Sequence, residues 1–451
     1  MTPRVRRLYF TSAIIAFIIL APLFVFYASG YRVNFSNFSI YQTGILVISS
    51  QPKGADVFLN DKKLRATTPI RFSTVAPGQY KLRIEKADYL PWSSQIRIAG
   101  KASTVISDLP LFYASPKETQ LWSGPFEAGR LSGDHKSIVL STPTEEGNNL
   151  HVLSLNGTSR QSIQNIEAGE IKDLQWSAQK NYILLKMLRN EKNIWLLVNT
   201  NSASTRDITD LLQQDVLETW WSKQSDDFLF YKTSNGFYRL DIFTGESELI
   251  TTDVVSSFLP NANGGYFIAS DTFGFHIFSY DSTRSEPELI QDLDNDAYTL
   301  LEQKNQWFGL LHTGRLSLSL IRNTPGSPLL TLPLSVSVNA IAWNPNNDDE
   351  ILVADGYELN LVNVQSGQVQ LLTRTSQNFE DFGWLPNTHM AYTSNNGRIE
   401  VYTTKQEYPS QSTLIQSAEG KYFIGASNDG KSLLFSELRS GQMLLTRYDI
   451  R

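Results

Sequence analysis

Between Arg7 and Arg32 the chain runs 24 positions without a charged residue, and most of them are Ile, Leu, Phe, Val or Ala. As a helix rising 1.5 Å per residue this run spans about 36 Å, enough to cross a hydrocarbon core of about 30 Å. The pattern changes at Gly44. Tyr80, Leu82 and Ile84 alternate with Lys81, Arg83 and Glu85, and Ile96 and Ile98 repeat the alternation. That period of two marks half-buried strands. Turn signals at Asn60-Asp61, Thr68-Pro69, Pro77-Gly78 and Ala99-Gly100 divide about 70 residues into about six strands, which predicts a small β-sandwich over 44–112.

Beyond residue 112 the alternation is organised into repeats. Turns that follow an aromatic or aliphatic strand centre on Ser132, Ser177, Ser222, Pro260, Lys304, Pro345, Pro386 and Asn428, spaced by 45, 45, 38, 44, 41, 41 and 42 residues. Two further strands and a hairpin lie between most of them, a period that fits a four-stranded blade. Residues 113–451 are therefore expected to form a β-propeller of seven or eight blades. The last repeat ends in MLLTRYDIR, one strand short, and a strand near Gln120 would complete it. Trp176, Trp221, Trp343 and Trp384 recur at one point of the turn and are assigned to packing between blades. Trp92, placed in a turn of the small domain, has no such explanation.

The fold class is thus all-β with one N-terminal transmembrane helix. Residues 1–7 form a basic cytoplasmic tail, 8–31 the helix and 32–43 a linker. Arg4, Arg6 and Arg7 precede the apolar run and only Arg32 closely follows it, so the positive-inside bias puts the C-terminal domains outside the cell. Tyr9, Tyr27 and Tyr31 flank the span as interfacial aromatics do. The bilayer is then a partner through 8–31. A cleaved signal ending at Ala28–Gly30 is the competing reading, although the run exceeds the usual signal length.

The chain has no cysteine, which excludes disulfides, thiolate-bound metal and thiol catalysis. Charge is unevenly divided. Residues 44–112 carry ten Lys/Arg against five Asp/Glu, and 113–451 carry 25 against 40. So acidic a bulk would repel phosphate, and nucleic acid is not an expected partner. The basic small domain is read as a soluble domain with a Lys-rich surface, the alternative being that it faces an anionic surface such as lipid headgroups or cell-wall polymer.

The stretch QPKGADVFLND (Gln51–Asp61), followed by TTPIRF (Thr67–Phe72) and APGQYKLRIEKADYLPW (Ala76–Trp92), resembles the PEGA domain. Lys53 stands in place of the signature Glu. Asp61 and Asp88 stand where Gly is common, and both residue types tolerate left-handed backbone. On this resemblance Pro52, Lys53, Gly54, Ala55, Asn60, Pro69, Pro77, Gly78 and Tyr89 are structural, and the domain is an extracytoplasmic sandwich of bacterial or archaeal surface proteins. The repeat turns, with SNDGK at Ser427–Lys431, look like those of WD-repeat-like and TolB-like propellers in architecture rather than in one family motif.

Little in the chain points to catalysis. His135, His151, His276, His312 and His389 are scattered, with no metal-ligand spacing among them, and are expected to be isolated. Ser177/Lys180 and Ser50/Lys53 fit Ser-x-x-Lys, but on turns rather than at a helix start. Asp292, Asp294 and Asp296 occupy the first positions of a calcium loop, yet the sixth is Ala297 instead of Gly, so a solvated acidic loop is the expectation. No catalytic residue, metal or cofactor is assigned. The expected function is a membrane-anchored envelope protein outside the cytoplasm. Its small domain would serve as spacer or envelope contact, and its propeller as a platform for protein or carbohydrate. The alternative is a propeller hydrolase or lyase with a site in the channel.

Overall fold

A computed structural model of the protein describes all residues except 1–2, 35–38, 213–214, 262–263, 285, 314–316, 328, 333–337, 339 and 417. Parts of the basic tail and of the expected linker therefore lie outside the described residues. The chain divides into two units. One comprises residues 1–115 with 403–412 and Arg451, the other 116–402 with 413–450.

In the first unit, α1 (Pro3–Ala28) contains the apolar run, which has a mean hydropathy of 2.3 over its most apolar stretch. It ends three residues before the expected boundary. The chain then enters β1 (Tyr31–Asn34), which pairs antiparallel with β2 (Ser39–Gln42). The end of the expected helix and the residues expected as a linker thus contain two paired strands, in which the β-branched Val33 lies opposite Ile40.

The sandwich contains seven strands rather than about six: β3 (Gly44–Gln51), β4 (Asp56–Leu59), β5 (Lys62–Thr67), β6 (Ile70–Val75), β7 (Gly78–Glu85), β8 (Trp92–Ile98) and β9 (Ser103–Pro110). They form sheets ordered β6-β3-β9 and β5-β4-β7-β8. Leu46, Ile48, Val57, Leu82, Ile84, Ile96, Ile98 and Ile106 are the inward residues of the alternation and are almost fully buried. Each such aliphatic side chain contributes about 1.5–3 kcal/mol of transfer free energy. Trp92 does not sit in a turn. It opens β8, where its indole N–H donates to Ser410 Oγ at 2.8 Å, while Ser94 Oγ donates to the Pro409 carbonyl at 2.7 Å.

Among the described residues of the second unit eight four-stranded sheets follow one another, which selects eight blades. The first seven span 128–167, 170–207, 218–251, 254–293, 298–331, 340–374 and 381–415, of which 403–412 group with the first unit. The eighth joins Lys421–Ala426, Ser432–Arg439 and Gln442–Asp449 to β10 (Lys117–Ser123), which supplies its outermost strand by pairing with Gln442–Asp449. Closure by two distant parts of the chain leaves no blade with an unfilled edge. Where the last blade meets the first, His135 Nδ1 lies 2.8 Å from the Ala426 carbonyl, and a Cβ on Gly425 would lie 2.4 Å from Leu131.

The middle strands of a blade are covered on both faces by neighbouring blades, so their apolar residues are consecutive rather than alternating. Leu229, Phe230 and Tyr231 are all buried. So are Ile183, Leu184 and Leu185. Leu184, Leu197, Trp221, Leu229, Tyr231 and Leu240 interlock blades 2 and 3.

Candidate binding surfaces

The PEGA-like motif residues shape turns. Gly54 has φ +80°, its N–H donates to the Thr68 carbonyl at 2.7 Å, and the N–H of buried Ala55 donates to Thr68 Oγ1 at 3.0 Å. Thr68 precedes Pro69, so the two motif segments are bonded to one another. Pro52 accepts from Ser50 Oγ at 2.8 Å, and the Lys53 carbonyl accepts from Lys86 at 3.0 Å. Asn60 and Asp61 have φ +48° and +62°, and Asp88 has +69°, so the two Asp residues adopt left-handed backbone where Gly is common. Asn60 Oδ1 accepts from the Lys81 N–H at 2.9 Å. Pro77 precedes Gly78 at the start of β7 and faces Gly100. Tyr89 packs on Tyr113 at 4.8 Å, and burial followed by the hydrogen bond to Tyr113 raises its phenol to about 12.

The repeat tryptophans stand between blades. Trp176, Trp343 and Trp384 donate their indole N–H to the carbonyls of Arg130, Glu302 and Ala342, each at 2.9 Å and each on the first strand of the preceding blade. Trp221 is buried like Trp343 and Trp384, whereas Trp176 is only half-buried, and the Trp221 Nε1 has no hydrogen-bond partner among the described residues.

Two histidines pair with carboxylates. His276 Nδ1 lies 2.7 Å from Asp292 and its Nε2 3.2 Å from Asp271, while His312 Nε2 lies 3.0 Å from Asp296. Partial burial opposes the charged imidazolium, but the hydrogen bonds to Asp292 and Asp271 outweigh it and hold His276 above its ordinary pKa. Strand register creates the first pair, since His276 is directly opposite Asp292. The acidic loop thus serves as a partner for histidines, a relationship that sequence spacing could not reveal. His151 behaves oppositely: burial, then the charge of Arg160, lowers its pKa. In the Ser177/Lys180 pair, Lys180 is bonded to Asp134 at 2.6 Å and Ser177 Oγ accepts from the Tyr182 N–H, so each side chain is engaged elsewhere.

Glu302 and Asp381 lie on first strands, the strands nearest the central channel, where they are open to solvent yet enclosed by protein on most sides. Burial raises the pKa of both. Glu302 accepts from the Trp343 N–H at 3.2 Å and Asp381 from the Tyr392 hydroxyl at 3.0 Å. Between blades 2 and 3 a cavity of about 330 Å³ is lined by Lys172, Asp173, Gln175, Lys186, Trp195, Glu218 and Trp220. Lys186 Nζ sits 5.0 Å from the ring centre of Trp195. Among the described residues no group of three His, Asp or Glu could hold a metal.

Large apolar side chains are exposed on one face of the propeller. Leu217, Val254 and Tyr422 lie at the starts of first strands. Phe273, Tyr357 and Leu438 lie at or beside hairpins between second and third strands. Antiparallel order puts both groups on the same side. Phe273 is 91% exposed at the tip of a turn whose Asp271 carboxylate accepts the N–H groups of Phe273 and Gly274 at 2.6 and 3.1 Å. Leu249, Leu289, Leu330, Val369 and Leu371, also exposed, lie on outermost strands.

Comparison with known proteins agrees with both units. No curated protein matches the chain. The C-terminal WD40 domain of Sif2 is 11% identical, with a TM-score of 0.51 over 74% of this chain and 98% of that one. A eukaryotic initiation factor is 12% identical, with a TM-score of 0.51 over 77% and 88%. At these identities the likeness shows the fold alone. Residues 43–111 match the PEGA domain, so the chain carries a PEGA domain followed by a WD40-like β-propeller.

Proposed function

We propose that this protein is a single-pass, membrane-anchored scaffold outside the cytoplasm. Its PEGA domain acts as a spacer at the cell envelope, and its propeller as a non-enzymatic docking platform for another envelope protein. The carrying observation is the set of exposed apolar side chains on the face of interblade connections, with Phe273 the most exposed. Asp253, Asp271, Asp292 and Asp294 share that face, so exposed apolar side chains among carboxylates suit a protein segment that combines apolar and basic residues.

Retention of envelope proteins by the full chain in nanodiscs tests the reading. A partner retained by the wild type should be lost with Phe273→Asp and kept with Phe243→Asp, which lies in a turn on the opposite face. Equal retention by all three would refute the assignment of this face. The rival enzyme reading draws on Glu302 and Asp381; hydrolysis or elimination of an envelope polymer that Glu302→Gln abolishes would favour it.

A further inference from the structure

Between α1 and the sandwich, β1 and β2 form a two-stranded sheet that pairs with no other strand among the described residues. Such a hairpin is marginal in water by itself. Val33 is opposite Ile40 and Tyr31 opposite Gln42, so Tyr31, Val33 and Ile40 share one face. Val33 is 46% and Ile40 60% exposed, an uncovered apolar pair within this unit. The base of the hairpin is fastened to the end of α1. The Thr43 N–H donates to the Gly30 carbonyl at 2.9 Å, and Gln42 Nε2 to the Ser29 carbonyl at 2.8 Å. The turn between β8 and β9 abuts the same place, because the Lys101 N–H donates to the Thr43 carbonyl at 3.2 Å.

Positive charge collects here. The Arg32 guanidinium lies 3.8 Å from the ring centre of Tyr27 and donates to the carbonyls of Tyr27 and Tyr31 at 2.9 and 2.8 Å, which leaves its charge uncancelled. Arg97 and Lys101 are exposed and outside every ion pair among the described residues. We infer that the hairpin and this turn form a second lipid contact: Tyr31, Val33 and Ile40 enter the boundary between headgroups and acyl chains, and Arg32, Arg97 and Lys101 bind the phosphodiesters of anionic headgroups. The inference rests on α1 being a membrane anchor. Continuity with the apolar helix puts a bilayer surface at the hairpin, and the aromatic, aliphatic and basic side chains of the hairpin and the adjoining turn match the chemistry of that interface.

The absence of cysteine allows single labels. Full-length Ile40→Cys, Phe17→Cys and Glu145→Cys, each carrying one fluorophore, would be placed in nanodiscs containing a lipid-borne quencher, with or without phosphatidylglycerol. Labels at 17 and 40 should be quenched and the label at 145 should not. In the Ile40→Cys background, Arg97→Glu with Lys101→Glu should weaken lipid contact about fivefold per charge, and only in the anionic discs. Quenching at 17 without quenching at 40 overturns the hairpin contact and leaves the anchor standing. No quenching at 17 removes the anchor and the inference together. A charge-reversed variant that behaves like its parent overturns the headgroup assignment.

Discussion

The indole Nε1 of Trp384 lies 2.9 Å from the carbonyl oxygen of Ala342, 42 positions earlier and on the first strand of the neighbouring blade. The same bond joins Trp343 to Glu302 and Trp176 to Arg130. A residue whose recurrence is visible in the sequence therefore joins consecutive blades, through a polar atom as well as through its apolar area.

Replacing Trp343 or Trp384 by Phe leaves a carbonyl without its donor and is expected to lower the free energy of unfolding by about 1–2 kcal/mol beyond the packing loss. Trp221→Phe removes an indole N–H with no partner among the described residues, so its cost should be smaller. Urea midpoints of the three variants decide the point. Equal losses would mean that packing alone accounts for the motif.

Closure of the ring depends on β10. A chain beginning at residue 125 lacks that strand and leaves Gln442–Asp449 as an exposed edge, while Leu153, Leu155 and Leu445 lose their contact with Trp122. It should aggregate, and hydrogen exchange in Ser432–Arg439 should quicken relative to a chain beginning at 113. Unchanged protection would show that the eighth blade needs only three strands.

His276 and His151 should titrate on opposite sides of the ordinary histidine pKa. His276 is raised by Asp292 and Asp271, so its pairing stabilises the fold fully below about pH 6.5, and that contribution disappears as pH rises through the folded-state value. His151 is lowered by burial, so the fold is penalised as pH falls below about 6.5, where the unfolded chain takes up a proton first. Imidazole proton shifts followed by NMR test both signs. Asp292→Asn should bring the His276 midpoint down.

At Gly54 an added side chain meets strained backbone rather than a filled space, since φ is +80° and the nearest atom to a Cβ is Lys86 Nζ at 3.5 Å. Gly54→Ala should cost about 1 kcal/mol, and Gly54→Asn should cost less because Asn tolerates the left-handed region. Thermal unfolding of the two variants would separate backbone strain from crowding.

The sequence by itself determined the helix, the sandwich, the repeat period and the need for a strand near Gln120 to complete the last blade. These properties follow from local rules: apolar length, alternation of burial along a strand, and turn residues such as Gly54 and Asn60 that accept positive φ. Only the tertiary structure decided which side chains meet. Trp92 finds Ser410 across 318 positions, and Lys180 finds Asp134 across 46. His276 reaches Asp292 through strand register rather than sequence spacing. The exposed residues Phe273, Val254, Tyr357 and Tyr422 look like any other strand or turn residues in the sequence, and share a face only once the blades are arranged around the channel. A local pattern encodes the burial of each strand, whereas the partner of a side chain is chosen by closure of the ring and packing of the sandwich, which bring distant parts of the chain together.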